Sequence, residues 1–558
     1  MPSVAREGLP QDIVAIFHAS FHPTQGNVID WSLKASDDVD LNGVEFCCLP
    51  SGLHLIDHDV VYFTKGARHG VCVFRKRVTT EDGHRGFRLS SLGILLAESS
   101  RPRSWRHLSA LKELVNTIYD SIEARGISEP VDSDWDPARQ FFEERKVRTS
   151  DLSGADVWSG WDQEFDGPDA EPSSCTPTLH LAHFLRLMGA SILTLYKHVL
   201  GRRRILLYTQ PPVEAACNFC QVAADMVYED QVDGDLSQTA GPSSGPDTRN
   251  PKLKSKHQKG IKVLGMVTLH DIRKLAEESA DGRGWIACTT DALFLERPQY
   301  YDLIIDLTTS AVSKSARPTC QISRLQAQSN GRSPVFRLST VRFTWSDVKL
   351  WTELDRLLQL DADEAQHSLP HYHTCTNQQG SGTTRSAPQW TDPWRLYEDA
   401  CLVCAGLWMG TWRSAPSLNS WGRVRLEGDD DLSRPSATAS TSSHTRLMKS
   451  STTPSSTSPG PGDDAARTRL VLTTCALLQT FHANTAALLA RLAAHVPRTP
   501  GPVVLTPRDI AAFELGPLSS VDARFLEWLV AEYAGGRAVV VKKGWRDIFG
   551  LLFGFGGS

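Results

Sequence analysis

Cysteine is thin in this sequence, 12 in 558 residues. That is too sparse for a disulfide framework, and no Asn stands two residues before a Ser or Thr, so no N-glycosylation acceptor exists. A reducing, cytoplasmic setting is expected. No run of about 18 apolar residues appears, and the opening segment MPSVAREGLPQD lacks an apolar core. The expectation is a chain that is neither exported nor membrane-spanning. An excess of positive charge is also missing. With 59 Lys+Arg against 64 Asp+Glu, the net charge is −5 and the pI near 6.4, so no positive field draws the chain to nucleic acid.

Signatures of covalent chemistry are equally scarce. There is no G-x-x-x-x-G-K-[ST] and no G-x-G-x-x-G opening a helix after a strand, so neither phosphate-cradling loop is present. A G-x-S-x-G string at 241–245 falls in a polar stretch, where the rigid strand–turn–helix of a nucleophile elbow is not expected. Two C-x-x-C pairs, Cys217/Cys220 and Cys401/Cys404, sit within apolar helical patterns and read as small buried residues. His371, His373 and Cys375 read as a solvated loop. No metal, no cofactor, no catalytic residue and no small-molecule substrate are expected.

What is present is a series of folded modules interrupted by loose segments. The runs IVAIFHASF (13–21) and NVIDWSL (27–33) flank HPTQG and read as a hairpin. Val60–Thr64, Val71–Val78 and Phe87–Ala97 add extended runs. Trp105, Leu108, Leu111, Val115, Ile118 and Ile122 then recur at steps of three and four, predicting a helix that Ser104 caps and Gly126 ends. Meander then helix implies an antiparallel sheet covered on one face.

After an acidic, Trp-containing linker (129–172), a helix over 181–200 ends at Gly201 and the Arg202–Arg204 triplet, whose cations suit a helix C-terminus. The strand ILLYT (205–209), Pro211–Pro212 and a further helix follow, which is α/β layering. Residues 229–259 are too polar to bury and read as a mobile insertion, with Lys252, Lys254, Lys256 and Lys259 as solvated charge. Strand–helix alternation resumes to about 310. From about 340 the pattern is helical (348–358, 394–412, 470–496), split by a Ser/Thr/Pro-rich tract at 414–467. A helix over 522–534 and a strand over 538–541 precede an apolar aromatic tail.

The predicted organisation is α/β (α+β): an N-terminal module (1–128), the linker, a central α/β module (173–310), and a mostly helical C-terminal module (311–413 and 468–558). Several blocks carry a family resemblance. DIVAIFHASFHPTQGNVIDWSL, VDLNGVEFCCLPSGLHLIDHDVVYFTKG, HGVCVFRKRV and RGFRLSSLGIL resemble the opening module of the LCHN-type DENN-domain proteins. LYKHVLGRRRILLYTQPPV, WIACTTDALFLERPQYYDLIIDL and LTPRDIAAFELGPLSSVDARFLEWLVAEYAG are similar to that family's later blocks, in the same order. The Ser/Thr-rich tract and the tail after about 541 depart from the shorter animal members and have the look of a fungal-type elaboration.

The resemblance implies a longin-like first module, a central α/β module and a helical remainder. It also implies a guanine nucleotide exchange factor for a Rab-family small GTPase, acting in the cytoplasm on membrane traffic without making or breaking a covalent bond. The alternative is a trafficking adaptor that keeps the fold and only tethers proteins or lipids. The expected GTPase dock is the groove between the first two modules, with contacts at Asn27, Asp30, Trp31, Arg85 and Arg88. A peripheral membrane contact is expected at Trp545, Phe549, Leu552 and Phe553.

Overall fold

The structure is a computed structural model that describes residues 9–79, 86–99, 101–125, 130–148, 161–166, 175–227, 253, 255–257, 260–308, 318–326, 335–341, 344–367, 461–497, 499–517 and 519–541. Strands β1 (Ile13–His22), β2 (Gly26–Lys34), β3 (His58–Lys65), β4 (Arg68–Val78) and β5 (Phe87–Leu96) form an antiparallel sheet in the order β3-β4-β5-β1-β2. Alternation of apolar residues along them serves two faces. Helix α1 (Val44–Cys48) covers one, where Val44, Cys47 and Cys48 meet Val61, Cys72 and Phe74. Helix α2 (Leu108–Ala124) covers the other, laying Leu108, Leu111, Val115, Ile118 and Ile122 on Ile16, Val71, Val73, Leu92 and Ile94. The periodic stripe read from the sequence is the buried one. Ser104 does not cap it, because a 3₁₀ turn over Ser104–His107 precedes the helix and Ser104 lies inside that turn.

The stretch read as a linker contributes to this core. Helix α3 (Asp136–Arg145) brings Phe141 and Phe142 against the module together with Trp135, and α4 (Trp161–Asp166) buries Trp161 and Phe165. Acidic composition hid five aromatic anchors.

In the central part, α5 (Leu181–Met188) and α6 (Ile192–Leu200) are separated by a 3₁₀ turn at Gly189–Ser191, so the single expected helix is broken in the middle. The segment Pro177–Leu200 is long and apolar enough to cross a membrane, yet 78% of its apolar window is buried inside the fold, as a core helix requires. Strands β6 (Arg204–Tyr208), β7 (Lys262–Met266), β8 (Trp285–Thr289) and β9 (Leu303–Asp306) pair in parallel in the order β9-β6-β8-β7. Being buried on both faces, they are nearly continuous apolar runs. Helix α7 (Glu214–Asp225) packs on Ile205, Leu207 and Ile286, and α8 (Ile272–Ala280) on Leu206, Leu264 and Trp285.

Strands β10 (Thr319–Gln326) and β11 (Val335–Thr340) extend the sheet antiparallel beyond β9. They lie in the range expected to be helical; their polar alternation (TCQISRLQ, VFRLST) marks half-exposed strands, β11 at the sheet's edge and β10 next to it. Helices α9 (Val348–His367), α10 (Pro461–His495), α11 (Pro507–Ala512) and α12 (Ser520–Tyr533) follow, with a two-stranded parallel ribbon of β12 (Val503–Leu505) and β13 (Val539–Val541). The expected fold class, α/β with a helical C-terminal region, is the one observed.

Sheet continuity gives the molecule its shape. Strands β1 to β11 form one sheet, and the two halves join where β3 meets β7 at the pair Phe63–Gly265. Gly265 sits in a register shift of β7 with φ +67°, and a Cβ there would lie 2.3 Å from the Tyr62 carbonyl oxygen. Only glycine satisfies both demands. Gly66 has φ +61° but open space around it, so it isolates the conformational part. Gly265→Ala is expected to lower stability by about 3 kcal/mol and Gly66→Ala by about 1 kcal/mol, read from urea midpoints. Equal losses would show that the close approach is not what joins the halves.

Candidate docking face and module seam

The expected contact residues on the first module are largely engaged inside it. Asn27 Nδ2 donates to the Leu49 carbonyl (3.2 Å), tying β2 to the end of α1. Asp30 accepts from His18 Nδ1 (2.5 Å) and Ser20 Oγ (2.8 Å). Burial opposes its charge, but His18 and Ser20 prevail and hold its carboxyl below the ordinary range. Trp31 stacks on Trp135 with ring centroids 4.7 Å apart. Arg88 lies on β5, directly across from Arg77 of β4. Arg85 and the tail residues Trp545, Phe549, Leu552 and Phe553 lie outside the described residues, as do Gly126, the 241–245 string, His371, His373, Cys375, the Cys401/Cys404 pair and the 394–412 helix.

These groups form a connected arrangement around one buried ring. His18 Nε2 lies 3.0 Å from the Tyr119 hydroxyl, which also meets Ser90 Oγ at 2.9 Å. The ring so fixed carries two guanidiniums, Arg77 at 4.7 Å and Arg75 at 5.7 Å from its centroid. Arg75 is paired with Asp120 and Glu123 of α2. Arg77, only 7% exposed, has no partner for its Nε. Burial is the main cause that lowers its pKa below the ordinary guanidinium value; Tyr119 opposes this and Arg88 adds to it. Sequence reasoning passed over Arg77, although its place two residues along a strand from Arg75 puts both on one face.

The groove expected between the modules is a seam of close contacts. Asp59 of β3 accepts hydrogen bonds from the backbone N–H groups of Val213 (2.7 Å) and Glu214 (3.2 Å) at the start of α7, and from Val60 (2.8 Å). Lys112 of α2 reaches Glu214 at 3.5 Å. Beside them Tyr62, His69, Trp105, Cys217, Asn218 and Gln221 line a cleft that has room for no more than a few waters. The Tyr62 hydroxyl and Asn218 Oδ1, both unpartnered, are the groups such waters would meet.

Cys217 Sγ lies 3.4 Å from Cys288 Sγ, and burial pushes the thiols of Cys217, Cys220 and Cys288 up, so they pack as small apolar residues. Among the described residues no group of three or more His, Cys, Asp or Glu is placed to hold a metal ion. The Arg triplet is structural: Arg203 and Arg204 both pair with Asp302, at 3.2 and 3.0 Å. Part of the expected insertion is docked, because Ser255 and His257 bond the buried carboxylate of Glu532 on α12, the His257 N–H at 3.1 Å.

The profile of the family described as DENN domain-containing protein 11 matches residues 16–317, more than half of the chain. This chain belongs to that family. The rat DENN domain-containing protein 11 is 27% identical over 305 residues, covering 53% of this chain and 57% of its own length. The Xenopus laevis protein of the same name is 26% identical over 304 residues, covering 53% and 59%. The Saccharomyces cerevisiae protein named Uncharacterized protein ANR2 is 25% identical over 357 residues, covering 58% and 63%. The chain thus spans less than two thirds of the length of these relatives. The DENN match takes in both halves of the sheet through β9, the seam and the Tyr119 arrangement.

The seam carries a pH dependence. Burial pushes the Asp59 carboxyl up from 3.8 to about 7, against the three backbone donors that favour its ionised form. The folded state therefore binds more protons than the unfolded one between these values, and stability falls as pH rises from about 4 to about 7. Asp59→Asn is expected to flatten that fall. Urea unfolding across this range, with parallel curves for both proteins, would refute it.

Proposed function

We propose that this DENN protein docks a Rab-type small GTPase and accelerates release of its GDP, working from the cytosol on a membrane-borne partner. Exchange of this kind needs a shaped, stiff surface that prefers the nucleotide-free GTPase. By linkage the same preference weakens nucleotide binding by an equal factor. A thousandfold faster release requires about 4 kcal/mol less barrier, within reach of a few contacts that displace a switch loop and its Mg²⁺. The magnesium and the nucleotide belong to the GTPase.

One observation carries the reading: the family match falls on the two sheet halves fused through Phe63–Gly265. That fusion lets contacts made on one module resist displacement by the other, as a mould must. Within that surface, Asn27, Asp30 and Trp31 act chiefly by shaping the N-terminal module, since each is held by another part of it. Arg88 on β5 supplies charge for the partner.

Release of fluorescent GDP from a panel of purified Rabs is the direct test. At least one Rab is expected to release nucleotide tenfold or more faster with saturating protein, and Gly265→Ala should reduce that gain. No stimulation of any Rab overturns the proposal.

A further inference from the structure

We propose that Ser255 is a phosphorylation site for a serine kinase that recognises basic sequence, and that the phosphate unlatches residues 255–257 from helix α12. The inference goes beyond the exchange reading and stands or falls without it.

Two independent observations meet at this serine. The first is in the sequence: Ser255 stands in K-L-K-S-K-H-Q-K, with Lys252 and Lys254 before it and Lys256 and Lys259 after it. A kinase with an acidic cleft is drawn to such a string, which holds no acid to oppose the attraction.

The second is what the hydroxyl touches. Ser255 Oγ donates to the buried Glu532 carboxylate and accepts from the His257 N–H at 3.2 Å. The same carboxylate accepts from the His257 N–H at 3.1 Å and faces the His257 ring, also at 3.1 Å. The Lys256 N–H donates to the Glu532 backbone carbonyl at 2.9 Å, in the last turn of α12, where a carbonyl has no partner within its helix. Residues 255–257 have no helix or strand of their own, so one glutamate holds them in place.

Phosphorylation turns this attraction into repulsion. Transfer forms a bond between Ser255 Oγ and the γ-phosphorus of ATP, breaks the bond from that phosphorus to ADP, and passes the hydroxyl proton to the kinase's base. The hydrogen bond to Glu532 loses its donor, and a group with about two negative charges and three further oxygens stands against a buried carboxylate. Arg202, 3.8 Å from that carboxylate, and the His257 ring are too few cations for the sum. The stretch leading into β7 then parts from the C-terminal helices.

Docking and phosphorylation exclude each other, so each opposes the other by the same factor. The hydroxyl reaches a kinase when 255–257 lifts off, a local opening that segments outside regular structure make readily.

The test uses the full chain, Mg²⁺-ATP and the catalytic fragment of protein kinase C, with the phosphate located by mass spectrometry. Phosphate is expected on Ser255, and about tenfold or more faster in Glu532→Ala, where the latch is already cut. The Lys256 and His257 amides of the phosphorylated chain should exchange with deuterium about tenfold or more faster than those of the unmodified chain. Absence of phosphate on Ser255 in both proteins overturns the proposal, as do equal rates of phosphorylation or unchanged amide exchange.

Ser255→Glu and Ser255→Gln separate charge from size. The glutamate should speed exchange at both amides well beyond the glutamine, and equal effects overturn the electrostatic release. Should Glu532→Ala fail to fold, this pair and phosphorylation of the unaltered chain decide.

Discussion

One close approach, between the backbones of Tyr62–Phe63 and Gly265, determines what kind of object this protein is. Without it the antiparallel and parallel halves would be two sheets hinged by α7 and the start of α2. With it they are one eleven-stranded surface. The pairing is a single register position, so its strength comes from what surrounds it. Asp59 satisfies the first N–H groups of α7 from the neighbouring strand, and Lys274 of α8 donates to the Thr64 carbonyl at 2.6 Å. Helices on both faces are thereby tied to the strand that crosses between modules.

Two buried ionic networks extend the same logic. Arg101, after β5, makes a bidentate pair with Glu164 of α4 (2.9 Å each) and a bond to Asp225 of α7 (2.8 Å), which Thr178 and Gln221 also contact. Lys197 of α6 is held between Asp347, before α9, and Asp522 of α12, at 2.6 and 2.7 Å. Burial works against the ammonium of Lys197, but the two carboxylates outweigh it and raise its pKa. Such networks add little net stability over apolar packing, yet breaking one partner strands the others, so they specify which surfaces meet. Each spans more than a hundred residues of sequence: the first ties the chain after β5 to α4 and α7, and the second attaches the helical C-terminal part to α6.

What the sequence revealed follows from where the information is local. The strands of the first module, the α2 stripe and the parallel strands were legible because alternation and the 3.6-residue period are imposed by the faces they bury. Strands β10 and β11 were not, since half-exposed strands at and beside the sheet's edge carry little apolar signal. Trp135, Phe141, Trp161 and Phe165 were hidden because acidic neighbours lowered the average of their segment. Gly265 lies inside an apolar run, which is a legible hint of a bulge, but nothing local says that Tyr62 will stand against it. Asp59 and Arg77 were invisible as special residues, because a charge within a strand reads as solvated until the opposing elements are known. The contacts that Asn27, Asp30 and Trp31 make within the module, to Leu49, His18 and Trp135, were illegible for the same reason.

Rigidity in the first module is set from two sides. The join at Gly265 fixes the sheet, and the bonds of the Tyr119 hydroxyl to His18 and Ser90 fix the ring over which Arg75 and Arg77 lie. A guanidinium as buried as that of Arg77 costs stability, yet the cost is small against the burial along the sheet, so such a residue can persist without unfolding the module.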